Sequence, residues 1–236
     1  MKLTETFGDW HAPMEPLLGS EIFEHIGLKL VDLHKEGKHI IPSFDCMFRP
    51  FSECHPLDLK VVMVLPAPYD IKGYADGLAL STKAAIAPSW LKHLRKAWEE
   101  DFGAGFDLSV YQGSNDLSYL ANQGVLMLNA AFTCEPGEPA AHRELWRPFT
   151  ESVLKMISYY FKDIVFIMVG GMTEDFIPCI EEPKHTVLSC YHPASADYAD
   201  SKWEHCGVFK RCNNILKAKG ISPVQWYSSA AQEVAA

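Results

Sequence analysis

The sequence predicts an α/β fold, a single domain with a central four-stranded, mainly parallel sheet flanked by helices. Four short apolar runs, each about as long as a fully buried strand, are spaced along the chain. Amphipathic patterns of helical period lie between them. Strands alternating with helices imply parallel pairing through right-handed crossovers.

In chain order, the segment up to about Leu59 reads as helices and irregular loops that pack around the sheet. The first run is KVVMVL, Lys60 to Leu65. PSWLKHLRKAWEED follows and puts Trp90, Leu91, Leu94, Ala97 and Trp98 on one apolar stripe, with Ser89 as the expected N-cap. GVLMLN, Gly124 to Asn129, is the second run. AHRELWRPFTESVLKMISYYF then repeats Leu145, Phe149, Val153 and Ile157 at helical spacing, and Pro148 inside it predicts a helix beginning near that proline. DIVFIMVGG, Asp163 to Gly171, and HTVLSCYH, His185 to His192, complete the sheet. Ser201 and Glu204 fit a capping box before the last helix, which Gly220 stops.

The composition supports one folded unit over 1–236, with a polar and alanine-rich tail over about 228–236 expected to be mobile. Hydrophobic residues make up 48% of 236 residues and no linker interrupts them. No apolar run approaches the ~18 residues that span a bilayer, so no membrane association is expected. The seven cysteines contain no C-x-x-C pair, which predicts reduced, structural thiols and a cytoplasmic or nuclear location. No metal-ligand cluster or phosphate-cradling glycine loop appears, so no metal and no cofactor is expected. A net charge of -9 disfavours nucleic-acid binding by bulk electrostatics while leaving room for a local basic groove. The candidate cations are Lys72, Lys83, Lys92, Arg95, Lys96, Arg143, Arg147, Lys202, Lys210 and Arg211, most of them readable as ordinary solvated surface.

Parallel sheets bind ligands at the carboxyl ends of their strands. PAPYD follows the first run, Asn129 ends the second, GGMT follows the third and YHPASAD, with His192, closes the fourth. Singly, such an Asn caps a turn and such a His is hydrogen-bonded structure. Together at one sheet edge they describe a pocket.

These same stretches carry a resemblance to the family 1 uracil-DNA glycosylases, running nearly end to end. GDWH near the start is similar to the family's W-H entry. DGLALSTKAAIAPSW resembles its GLaFSV…iPPSL segment, and GVLMLNAAFTCEPGEPAAH its GVLLLN…H segment. HPASAD stands where the family has HPSPLS, and EHCGVFKRCNNILKAKGISPVQW follows the family's closing motif. The resemblance implies hydrolysis of the bond between uracil and deoxyribose on a nucleotide flipped out of the stack. It implies DNA as partner. It also implies that Tyr69 shields the pocket against the thymine methyl, Asn129 reads the uracil amide edge and His192 donates to the departing oxygen.

Other positions depart from that pattern. The family's catalytic Asp falls on Ala67, and its loop G-Q-D-P-Y-H reads Leu65-Pro66-Ala67-Pro68-Tyr69-Asp70 here. The stacking Phe is Leu80, and the duplex-filling Leu is Ala196, with Asp197 and Asp200 beside it. Expected base contacts are therefore Ala67, Pro68, Tyr69, Leu80 and Asn129. Expected DNA contacts are Ser89, Gly170, Gly171, Ser195 and Ala196. His192 is the expected catalytic group, with Asp70 either a displaced carboxylate or a plain loop residue. Three readings follow: a glycosylase for uracil or a modified pyrimidine with reduced or altered activity, acting on single-stranded or duplex DNA; a catalytically silent relative that binds DNA or a protein partner; and an N-glycosidase acting on a free nucleoside or nucleotide.

Overall fold

A computed structural model describes residues 2–103, 107, 113–197, 203 and 205–228. The four apolar runs are strands: β1 Val61–Leu65, β2 Val125–Asn129, β3 Val165–Val169 and β4 Thr186–Cys190. They form one sheet in the order β2-β1-β3-β4, and every pairing is parallel. β1, β2 and β3 are buried at every residue, which is why they read as unbroken apolar runs. β4 is an edge strand, and its Ser189 faces solvent.

Strand alternation divides the core into two layers. Val62, Val64, Leu126, Leu128, Phe166 and Met168 face one side. There they meet α1 (Leu3–Phe7), α2 (His11–Leu18), α3 (Glu21–Lys35), α4 (Arg49–Glu53) and the long α7 (Arg143–Tyr160). Val61, Met63, Val125, Met127, Val165 and Ile167 face the other side. They pack on α5 (Ser89–Phe102), part of the short α6 (Ser118–Ala121) and α8 (Val208–Ala218). The chain leaves β1 toward α5 on one face and leaves β2 toward α7 on the opposite face. Within the sheet, β1 leads to β2 on one side while β3 leads to β4 on the other, so the crevice between the ends of β1 and β3 is the topological switch point.

Three helix starts differ from expectation. Ser89 is the first residue of α5 rather than its cap; Pro88 holds the cap position and no side chain caps the helix. α7 begins at Arg143 and runs through Pro148, whose missing N–H orphans only the carbonyl of an exposed residue, Glu144. α8 starts at Val208 after Gly207, at φ 61°. The residues of the expected capping box, Ser201 and Glu204, lie outside the described residues, as does the tail from 229 onward. The α8 start is instead capped from another helix: an Asp101 carboxylate oxygen accepts from the N–H groups of Phe209 and Lys210 at 3.0 and 2.9 Å. Gly220, at φ 72°, ends that helix as expected. All seven cysteines are free thiols. Among the described residues no helix is long and apolar enough to cross a membrane.

Candidate active site

The loop after β1 is pinned to the end of β2. The Ala130 N–H donates to the Leu65 carbonyl at 2.6 Å, and the Ala131 N–H donates to that of Pro66 at 3.0 Å. Pro66 and Pro68 restrict the backbone between them. Ala67 is only 9% exposed, and Tyr69 is buried at 5%. The Tyr69 hydroxyl donates to the Leu80 carbonyl at 2.9 Å, and burial raises its pKa well above the ordinary phenol value.

Leu80 has a left-handed backbone, φ 65°, unusual for a residue with a Cβ. The surrounding segment over-determines it. The Ala79 N–H donates to Met127 in β2 at 3.2 Å, tying the segment beside the β2 end. Buried Asp76 accepts from the Ser81 hydroxyl at 2.7 Å and the Leu78 N–H at 3.2 Å, and pairs with Arg49 at 2.7 Å. Burial pushes the Asp76 carboxyl up, against the opposing pull of Ser81 and Arg49.

Asn129 ends β2 opposite Leu65 in the parallel register, so its side chain faces the α5 layer, where Leu80 lies with Tyr69 bonded to its carbonyl. It is 3% exposed, and its amide oxygen, Oδ1, has no hydrogen-bond partner in the protein. Below it, the Thr150 hydroxyl donates to the Ala130 carbonyl at 2.7 Å and fixes the loop to α7.

Gly170 follows β3 at φ 88°, and an added Cβ would come within 3.2 Å of the His192 Cβ. The positive φ, with this tight approach of the two strand ends, favours glycine here. His192 follows β4, and its Nδ1 lies 3.1 Å from the Ala194 N–H. That N–H can only donate, so Nδ1 is the acceptor and the neutral ring carries its proton on Nε2. Burial lowers the His192 pKa to about 4, so the ring is neutral at pH 7.

A cavity of about 330 Å³ opens at this edge, its walls including Pro66, Ala67, Trp90, Gly170, Gly171 and His192. The lining is almost wholly apolar; its one charged member, Arg143, is paired with Asp175 at 2.7 Å. Of the expected residues, Ala67, Gly170, Gly171 and His192 reach this wall. Pro68, Tyr69, Leu80 and Asn129 are buried behind it. Asp70 is half-buried, its carbonyl accepting from Gly137 at 3.1 Å, and it does not line the cavity. Ser89 is exposed at the start of α5, and Ser195 and Ala196 lie in the 3-10 turn Pro193–Asp197, also outside the lining.

Trp90 departs from the helical-stripe expectation. Leu91, Leu94, Ala97 and Trp98 are buried as that stripe requires, but Trp90 is only half-buried and faces the site. Its ring stacks on Tyr69, with centroids 5.1 Å apart and planes at 28°. It meets His192 edge-on at 4.8 Å and 87°. The sequence held one signal for this role: a tryptophan directly after the Pro-Ser pair where the resembling family has leucine.

No protein-family model matches the chain. It is 31% identical over 219 residues to the uracil-DNA glycosylase of Streptococcus uberis, covering 92% of this chain and 97% of that one. The enzyme of the same name from Streptococcus sanguinis is also 31% identical, over 223 residues, again covering 92% and 97%. The mimivirus uracil-DNA glycosylase shares the fold with a TM-score of 0.84 at 20% identity, over 96% of this chain and 89% of that one. A variant of that viral protein has been solved in complex with UGI, with a TM-score of 0.84. A relationship at this identity, holding along nearly the full length of both chains, means that the chain belongs to the uracil-DNA glycosylase family.

Proposed function

We propose that the protein is a DNA glycosylase that hydrolyses the N-glycosidic bond of uracil or a modified pyrimidine, a base-excision activity carried out without the usual carboxylate at position 67. One observation carries this reading: the unpartnered, buried Oδ1 of Asn129. An orphaned buried acceptor costs about 1–3 kcal/mol, so its retention calls for a partner that arrives with a ligand. A pyrimidine lactam edge offers an N–H flanked by carbonyls, which complements the oxygen and nitrogen of one carboxamide.

In the reaction, the bond between the base nitrogen and the sugar C1′ breaks with its electron pair leaving on the base. Negative charge then collects on the base carbonyl oxygens. Neutral His192, with its proton on Nε2, donates a hydrogen bond to that oxygen. Electrostatic stabilisation of this kind is often the largest part of a rate enhancement. Ala67 offers no carboxylate to hold water or to face the cation-like sugar, so water attacks C1′ less well prepared. Removing one positioned catalytic group typically lowers a rate by ~10²- to 10⁴-fold. The family membership supports the glycosylase reading, and the loss at Ala67 supports reduced or altered activity.

The same alanine favours a second reading, in which the protein binds DNA or a protein partner without turnover. Incubation with uracil-containing single-stranded and duplex DNA, followed by detection of abasic sites, decides between them. Abasic product that disappears in His192→Ala supports the enzyme. No product at stoichiometric protein, across uracil and a panel of modified pyrimidines, leaves the binding reading.

A further inference from the structure

We infer that Trp90 is the occluding and specificity-setting residue of the base site: with no base bound, its indole holds the planar-ring position between Tyr69 and His192, and a base enters only by displacing it. The inference rests on reading this edge as a base site. A base shielded by Tyr69 and held by His192 must lie between those two rings. That space already contains a planar aromatic ring, stacked on one neighbour at 5.1 Å and edge-on to the other at 4.8 Å. The indole is also the wall that separates Tyr69 from the cavity: it touches Tyr69 on one side and lines the cavity on the other, whereas neither Tyr69 nor Asn129 reaches the lining. The unpartnered oxygen of Asn129 lies on the same α5-facing side, behind the surface the indole helps to close.

Trp90 is placed to move. It is the second residue of α5, in a first turn with no side-chain cap. It is half-buried, whereas the other five of the six tryptophans are fully buried. A base must replace two aromatic contacts of ordinary strength, so the occluded site binds it about tenfold more weakly than an open one. Ligands that cannot recover those contacts are turned away.

The test measures binding of free uracil by titration calorimetry to the full-length protein and to Trp90→Leu, which removes the ring, and Trp90→Phe, which keeps one. Abasic-site yield from uracil-containing single-stranded DNA is measured in parallel. The expected result is that Trp90→Leu binds uracil about tenfold more tightly than the wild type, and that this gain disappears when Asn129→Ala is added. Trp90→Phe stays near the wild type, and its folded yield shows that position 90 tolerates change. Uracil is also expected to shift the intrinsic fluorescence of the wild type but not that of Trp90→Phe. Binding of uracil by the wild type with no gain in Trp90→Leu overturns the occlusion and leaves the glycosylase reading standing. A gain in binding without abasic product from any variant upholds the occlusion and removes uracil excision from the glycosylase reading. No uracil binding by any variant overturns the occlusion.

Discussion

At the scale of single residues, the proposed chemistry turns on two positions, the buried imidazole of His192 and the missing carboxylate at Ala67. His192 titrates near 4 in the folded protein, against an ordinary value of 6.5, because burial penalises the imidazolium. The unfolded chain therefore takes up a proton that the native state refuses as pH falls through 6.5. The stability contributed by keeping this ring neutral is full above about 6.5 and is lost progressively as pH falls toward about 4. Imidazole nitrogen shifts are expected to report the Nε2–H tautomer unchanged from pH 8 to pH 5.5. His192→Gln is expected to lose less stability than the wild type between pH 7 and pH 4.5 in denaturant titrations. Ala67 is the second case. Ala67→Asp places a carboxylate in an apolar lining, where burial raises its pKa and only the ionised form assists. Excision by this variant is expected to rise about tenfold or more over the wild type at pH 8 and to fall away at pH 5.5, measured as abasic-site yield in single turnover. The polar members of this site were legible in the sequence because Asn129 and His192 interrupt apolar strand ends. The role of Trp90 was not, because helical period alone assigns it to the stripe of Leu91 and Leu94, and only the terminal turn of α5 lets it face outward.

At the scale of elements, the strands were readable because both their faces are buried, so that composition and length suffice without any alternation. The helix starts were not, because what satisfies their first N–H groups is tertiary. α8 shows this best: its amides are capped by Asp101, more than a hundred residues earlier at the end of α5. Burial pushes the Asp101 carboxyl up, while the Lys210 and Phe209 amides pull it back down. No local pattern around Gly207 announces this partner. Asp101→Ala is expected to cost about 1–2 kcal/mol, the usual value of a lost helix cap. It should appear as a lower denaturant midpoint with an unchanged slope. Because α8 packs on the sheet layer under α5 and not on the cavity, uracil binding should be unaffected at temperatures where the variant is folded.

At the scale of the whole molecule, the question is how a chain of net charge -9 meets DNA. Several of the cations near the site are engaged internally. Arg143 pairs with Asp175 at 2.7 Å and Arg147 with Glu151 at 3.0 Å. Arg95 donates to the Gly113 and Ser114 carbonyls and to Asn115 Oδ1. The turn that carries Ala196 ends on Asp197, which is bonded to His93 at 2.8 Å and brings a carboxylate to the rim. Lys83 and Lys92, exposed on the segment leading into α5 and on its first turn, are the cations we propose to meet phosphate. With about two phosphates neutralised, the logarithm of affinity should fall against the logarithm of salt with a slope of roughly -1.4 on single strands. Ala196 leaves little to fill the gap of a flipped base, so duplex DNA must give up stacking without replacement, and single-stranded DNA should bind more tightly at equal salt. Fluorescence anisotropy from low to physiological salt measures both quantities. Lys83→Glu and Lys92→Glu are each expected to make the slope shallower by about one phosphate's worth and to weaken all sequences alike. A slope steeper than about -5, or tighter binding to duplex than to single strands, would mean that a basic track elsewhere on the molecule carries the DNA, and that the acidic rim of this site is not where the strand runs.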